Sequence, residues 1–142
     1  VISELKRIAA SNGGVLQPET VVDSARPKSS PLHSRFTWDN SEAAHQYRIW
    51  QARQLIRVSV ELIGGLTGPV DVFVSLTTDR YEKGGGYRVM TKVLSDSQLR
   101  EQMLTDALNE LSVFEQKYSR LKELAAVFAG IHKVKRIFKR KH

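Results

Sequence analysis

Apolar residues in the first third of the chain recur at the three- and four-residue spacings of helices, and each run is bounded by turn chemistry. Leu5, Ile8 and Ala9 mark a helix over residues 3–11, and Asn12-Gly13-Gly14 supplies the left-handed stop such a helix wants. Pro18 then stands at a first helical position with Glu19 beside it, where the helix dipole favours an acid. Val21, Val22 and Ala25 continue that helix, and Pro27 closes it. Ser29-Ser30-Pro31-Leu32 repeats the serine-then-proline start and opens a short third helix to about Phe36. Asp39-Asn40-Ser41-Glu42 has the form of a capping box with an aspartate cap. It opens a longer helix through Ala44, Tyr47, Gln51, Leu55 and Ile56.

After Arg57 the period changes to two. Val58, Val60 and Leu62 alternate with Arg57, Ser59 and Glu61, which predicts a strand, and Gly64 to Pro69 reads as a turn. Val70, Val72, Val74 and Leu76 alternate with Asp71, Phe73 and Ser75 and predict a second strand. Residues 77–86 read as a loop, and Tyr87 to Val93, β-branched with an aromatic, as a third strand. Three strands on short connections imply an antiparallel meander.

From Ser95 the pattern is one long helix, with Ser95 to Gln98 in the serine-x-x-glutamine cap form. Ala107, Leu111, Phe114, Tyr118, Leu121, Ala125 and Phe128 alternate by fours and threes, a heptad seam. Its small and aromatic members suit packing on the chain's own sheet or on an antiparallel neighbour, and pairing with a second copy is the other reading. Gly130 shifts the apolar phase. Beyond it Ile131, Val134, Ile137 and Phe138 continue a stripe with cations on the other faces, an amphipathic basic helix or a disordered arm.

These elements predict an α+β chain: a helical head (1–56), a three-stranded antiparallel sheet (57–94), a long helix (95–130) and a basic extension (131–142). The head and sheet admit a winged helix-turn-helix-like arrangement, although no basic recognition helix stands out and any small helical bundle gives the same pattern.

Charge changes this picture most. The net charge is +7, and six cations, Lys133, Lys135, Arg136, Lys139, Arg140 and Lys141, lie in the last ten residues, so the rest of the chain is close to neutral. A basic terminus points to a polyanion, nucleic acid foremost, with simple solubilisation as the plainer alternative. The absence of cysteine excludes disulfides, thiolate metal sites and cysteine nucleophiles. No apolar run approaches the ~20 residues of a membrane span, and the amphipathic start lacks the long apolar core of a secretory signal. Because the chain opens on Val1, a few residues in front are expected to be missing.

Candidate chemistry is sparse. The loop ending Gly84-Gly85-Gly86 runs into a predicted strand and not a helix, so it lacks the form of a phosphate cradle. With Arg80 and Lys83 at its tip and Arg88 behind, it fits a wing laid on a nucleic-acid backbone, or an ordinary exposed hairpin. His33, His45, His132 and His142 make no ligand pair at helical spacing, so no metal or cofactor is expected. Glu19 and Asp23 read as a solvated acidic face. Asp39, Asp71 and Asp79 form a nuclease site only if the fold brings them together, and no nucleophile motif appears. Phe36, Trp38, Tyr47 and Trp50 read as core in preference to base-stacking rings.

The stretch Gly13 to Arg26 (Gly-Gly-Val-Leu-Gln-Pro-Glu-Thr-Val-Val-Asp-Ser-Ala-Arg), the segments Ser30 to Asp39 and Glu42 to Arg48, and Phe73 to Arg80 followed by Gly85-Gly86-Tyr87-Arg88 resemble a family of small, functionally uncharacterised bacteriophage and prophage proteins. The likeness spans most of residues 10–128. It implies a viral accessory or genome-handling setting in a bacterial cytoplasm, assigns no residue a role, and leaves the basic extension outside the shared pattern.

The expectation is a non-enzymatic phage protein that grips the DNA backbone through Lys133, Lys135, Arg136, Lys139, Arg140 and Lys141, with Arg80, Lys83 and Arg88 as a secondary grip. A protein–protein, assembly or host-takeover module acting through the seam, as a homodimer or with another protein, is the alternative.

Overall fold

The computed structural model describes residues 1–38, 41–62 and 68–140. Asp39, the Gly64-Gly65 turn, Lys141 and His142 therefore lie outside the described residues. The chain is a mostly helical α+β protein with two small antiparallel sheets, and its contacts group it into two compact units, Val1–Ser97 and Gln98–His142.

In the first unit the helical spacing becomes burial. Helix α1 (Ile2–Ser11) covers Leu5, Ile8 and Ala9. It stops where Gly13 and Gly14 take φ of 63° and 84°, a region other residues avoid, and the Gly14 amide donates to the Ala9 carbonyl at 2.8 Å. Helix α2 (Pro18–Ala25) starts on its proline and buries Val21, Val22 and Ala25. The third predicted helix is a single 3₁₀ turn, His33–Arg35. Helix α3 (Glu42–Arg57) is capped by Ser41, whose hydroxyl accepts from the Ala44 amide at 3.2 Å. It buries Arg48, Ile49, Ala52 and Ile56. Leu16, Leu32, Phe36, Val72 and Phe73 complete one apolar core with these residues. Each fully covered aliphatic side chain adds roughly 1.5–3 kcal/mol to folding before conformational entropy is set against it.

The expected three-stranded meander is corrected to two separate two-stranded sheets. Strand β1 (Val60–Leu62) pairs with β2 (Pro69–Asp71), and β3 (Phe73–Val74) pairs with β4 (Arg88–Val89). The chain changes partner at Val72. Its amide donates to the Ser59 carbonyl at 3.1 Å on one side, and its carbonyl accepts from the Met90 amide at 2.8 Å on the other. Val72 and Phe73 are both buried in succession, so the alternation that suggested a continuous strand breaks there.

Two further segments differ from expectation. Thr77–Tyr81 is a short helix, α4, where a loop was expected. Tyr87 bridges to Leu16 and Arg88–Val89 pair, but Met90–Ser95 then forms helix α5, which buries Val93 completely. Because β3 and β4 are two residues each and are joined through helix α4, the structure does not show a winged helix.

The glycines before β4 have separate steric reasons. Gly84 and Gly85 take φ of 88° and 68°, and a Cβ on Gly86 would stand 2.6 Å from Val15 Cγ1.

The second unit is a helical hairpin. Helix α6 (Ser97–Tyr118) is the long helix the pattern predicted, but it ends at Tyr118. Leu121 is extended, a 3₁₀ turn follows at Lys122–Leu124, and helix α7 (Ala125–Arg140) runs back along α6. Glu115 meets His132 at 2.6 Å and the Phe114 and Phe128 rings stand 6.4 Å apart, which fixes the antiparallel register. The single long helix is thus two helices, and the seam is divided between them. Gly130 is no break: α7 passes through it, and a Cβ there would meet nothing within 4 Å. No described helix is long and apolar enough to cross a membrane.

Candidate nucleic-acid interface

Helix α7 carries the expected cations in an order that the helical repeat sorts. Lys133, Arg136 and Arg140 follow one another at i, i+3 and i+7, so they share a face, with Lys139 flanking it. All four are exposed. Ile131 is buried and Phe138 partly buried on the opposite side, towards α6. Lys135 is half-buried on the α6 side, where it lines a cavity of about 310 Å³ with Leu108, Ser112, Phe138 and the exposed Lys139. The residues expected to form the cationic tail are therefore helical through Arg140, and an ordered helix spends less entropy on binding than a free arm.

The expected secondary grip separates into three different situations. Arg88 is committed to Asp79: its guanidinium donates Nε to both carboxylate oxygens at 3.0 and 2.9 Å and Nη2 to Oδ1 at 2.7 Å. Asp79 is only 4% exposed, so this is a buried ion pair that closes the Gly84–Gly86 turn onto α4. Arg80 donates to the Ser75 carbonyl and the Thr77 hydroxyl, which fixes its charge beside the same turn. Lys83 is exposed on the turn. Of the three aspartates weighed for a nuclease site, Asp79 is engaged by Arg88, Asp71 is an exposed β2 residue, and Asp39 lies outside the described residues. No three of His, Asp and Glu among the described residues come together as a metal site.

The aromatic cluster divides. Phe36 is buried, as expected of core. Trp38 stacks on His33 at 4.9 Å, donates its indole N–H to the His33 carbonyl at 2.9 Å, and lies under the Arg48 and Arg26 guanidinium groups. Tyr47 and Trp50, by contrast, are 49% and 51% exposed and stack on each other with ring centroids 5.6 Å apart and planes 15° from parallel. The core expectation fails for these two because they point away from the Ile49–Ala52–Ile56 stripe of α3.

The same outer face of α3 holds residues that the sequence pattern did not single out. Trp50, Arg53 and Arg57 follow at i, i+3 and i+7 and all are exposed. Arg53 and Arg57 line an open groove of about 680 Å³ with Ser75, Arg80, Glu82, Gly84–Gly86 and Tyr87. Three arginines thus face one acid. The signal was the helical spacing of Tyr47, Trp50, Arg53 and Arg57, hidden because these cations are not adjacent in sequence.

Most of the seam is exposed. Tyr118 and Phe128 are partly buried, whereas Ala107, Leu111, Phe114, Leu121 and Ala125 are exposed. Leu104, Val127, Val134 and Ile137 extend the exposed apolar stripes. No family model, curated protein or solved structure matches the chain.

Proposed function

We infer that the protein is a non-enzymatic, backbone-directed DNA-binding protein that grips its ligand with the cationic face of α7. The observation that supports this most is the division of that helix: Ile131 and Phe138 turn towards α6 while Lys133, Arg136 and Arg140 share an exposed face, with Lys139 exposed at the edge of the α6 side. Cations arranged along one face of a helix neutralise successive phosphates and read no base edges, so affinity is sequence-independent and falls steeply with salt. Lys83 adds a weaker contact, Lys135 is partly withdrawn into the hairpin, and the role of Arg88 is structural. The sequence resemblance to phage proteins supports an accessory role in a bacterial host cytoplasm.

The test is a fluorescence-anisotropy titration of unrelated duplexes across about 50–200 mM salt, with and without magnesium. The expected result is equal affinity for all sequences, lost with rising salt, and intact DNA at the end. Binding that is absent at low salt, or magnesium-dependent cleavage, overturns the reading.

A second reading is favoured by the exposed stripes at Leu104, Leu111, Phe114 and Ile137: a protein partner, or a second copy, covering the hairpin's apolar side. That complex would persist at high salt, where DNA binding would not.

A further inference from the structure

We propose that the outer face of α3 and the adjoining groove form a second site, for single-stranded nucleic acid, in which arginines hold phosphates and Trp50 with Tyr47 stacks a base. This inference stands on the first unit alone and does not depend on α7. Trp50 lies one helical turn from Arg53 and two turns from Arg57, about 10 Å along the axis. An aromatic platform therefore leads directly into a cationic groove on one line of one helix. The platform is already a stacked pair, held by ring contact and half open to solvent. The groove beyond it is lined by Arg53, Arg57 and Arg80, opposed by Glu82 alone among its lining residues. Its wall is tethered at two points: the Arg80 guanidinium donates to Ser75 and Thr77, and the Arg88–Asp79 ion pair ties the end of the glycine turn to α4.

The chemistry selects an unpaired strand. A duplex hides its base faces in its own stack, so an exposed indole gains little from it, whereas every unstacked base offers a π-face. Arginine suits the groove because its planar fork takes phosphate oxygens in pairs. The expected preference is for single over double strands, with little discrimination between bases.

The experiment uses the full chain in a background with Lys133, Arg136, Lys139 and Arg140 all changed to Gln, which silences α7 without touching the groove. A single-stranded oligonucleotide of about 12 nucleotides, within the usual range for such sites, is titrated as DNA, as RNA and as a matched DNA duplex, with indole fluorescence and anisotropy as readouts. Quenching of indole fluorescence by either single strand, with the duplex bound at least ten times more weakly, supports the proposal. So does a loss of about tenfold in single-strand affinity on Trp50→Ala, and a similar or larger loss on Arg53→Gln with Arg57→Gln. Circular dichroism identifies any variant that has unfolded, and Trp50→Phe, which keeps a ring, should recover much of the affinity. Equal binding of duplex and single strand, or single-strand binding indifferent to Trp50 and to Arg53 and Arg57, overturns it. Polyphosphate that competes fully, with no effect of Trp50→Ala, also overturns it. None of these outcomes touches the α7 reading, which is measured on duplex with the unaltered hairpin.

Discussion

In the first unit Leu5, Ile8, Leu16, Val21, Val22, Leu32, Ile56 and Leu76 are all within 1% of full burial, while in the C-terminal hairpin the described apolar side chains that reach burial are Leu108 and Ile131, at 7% and 5%. Hairpin residues of the same kind, Leu104, Leu111, Phe114, Val134 and Ile137, are 37–49% exposed. The first unit gathers most of its aliphatic side chains into one core, although Val58, Val60 and Leu94 stay exposed. The hairpin keeps one side apolar and open and the other cationic. The two units thus differ in what their apolar residues cover, and composition alone would not have separated them.

The sharpest way to break this contrast is to cut the same side chain from each unit. Leu16→Ala, inside the core and bridged to Tyr87, should cost about 2–5 kcal/mol in a urea melt. Leu111→Ala should cost under about 1 kcal/mol, because its side chain is already partly in water. Equal losses would mean that the hairpin carries a core of its own that the burial pattern misses. Next in size is Asp79→Ala, which strands a mostly covered guanidinium. Removing one partner of a buried pair costs about 3 kcal/mol, read as a lowered Tm, and should also loosen the Gly84–Gly86 turn. A fall no larger than that of a surface pair would show that Arg88 finds another partner.

The smallest effect has the opposite sign. Gly130→Ala places a methyl group in open space within α7 and should stabilise that helix by about 0.5–1 kcal/mol, seen as higher helicity or a raised Tm. Destabilisation would mean that something covers Gly130 which the hairpin by itself does not reveal.

Much of the first unit was legible in the chain. Leu5, Ile8 and Ala9, then Val21, Val22 and Ala25, fell on the buried faces that their spacing assigned, because glycine and proline marked the ends. The sheet was legible only as extended backbone. Valine alternation from Val70 to Leu76 carries no record of which neighbour each residue bonds, so the change of partner at Val72 had no local signal. The hairpin turn was hidden for a related reason. Tyr118-Ser119-Arg120-Leu121 contains neither Gly nor Pro, and its heptad spacing continues unbroken through a chain reversal. The cationic stretch on α7 was plain because its charges are consecutive, whereas Arg53 and Arg57 needed the helix to bring them beside Arg80. Arg88 shows the converse: a cation that looked available in sequence is taken up by a buried carboxylate.

In the proposed function α7, and not the first unit, supplies the grip on duplex DNA. Truncation is a poor test, since Ile131 and Phe138 help to close the hairpin. The direct measurement is the slope of log affinity against log salt on a random duplex, for the unaltered chain and for a variant with Lys133, Arg136, Lys139 and Arg140 changed to Gln. Each phosphate contact removed should lower the slope by about 0.9, so the variant should bind far more weakly at low salt, with a slope flatter by roughly 3 to 4. An unchanged slope and affinity in a folded variant would contradict it.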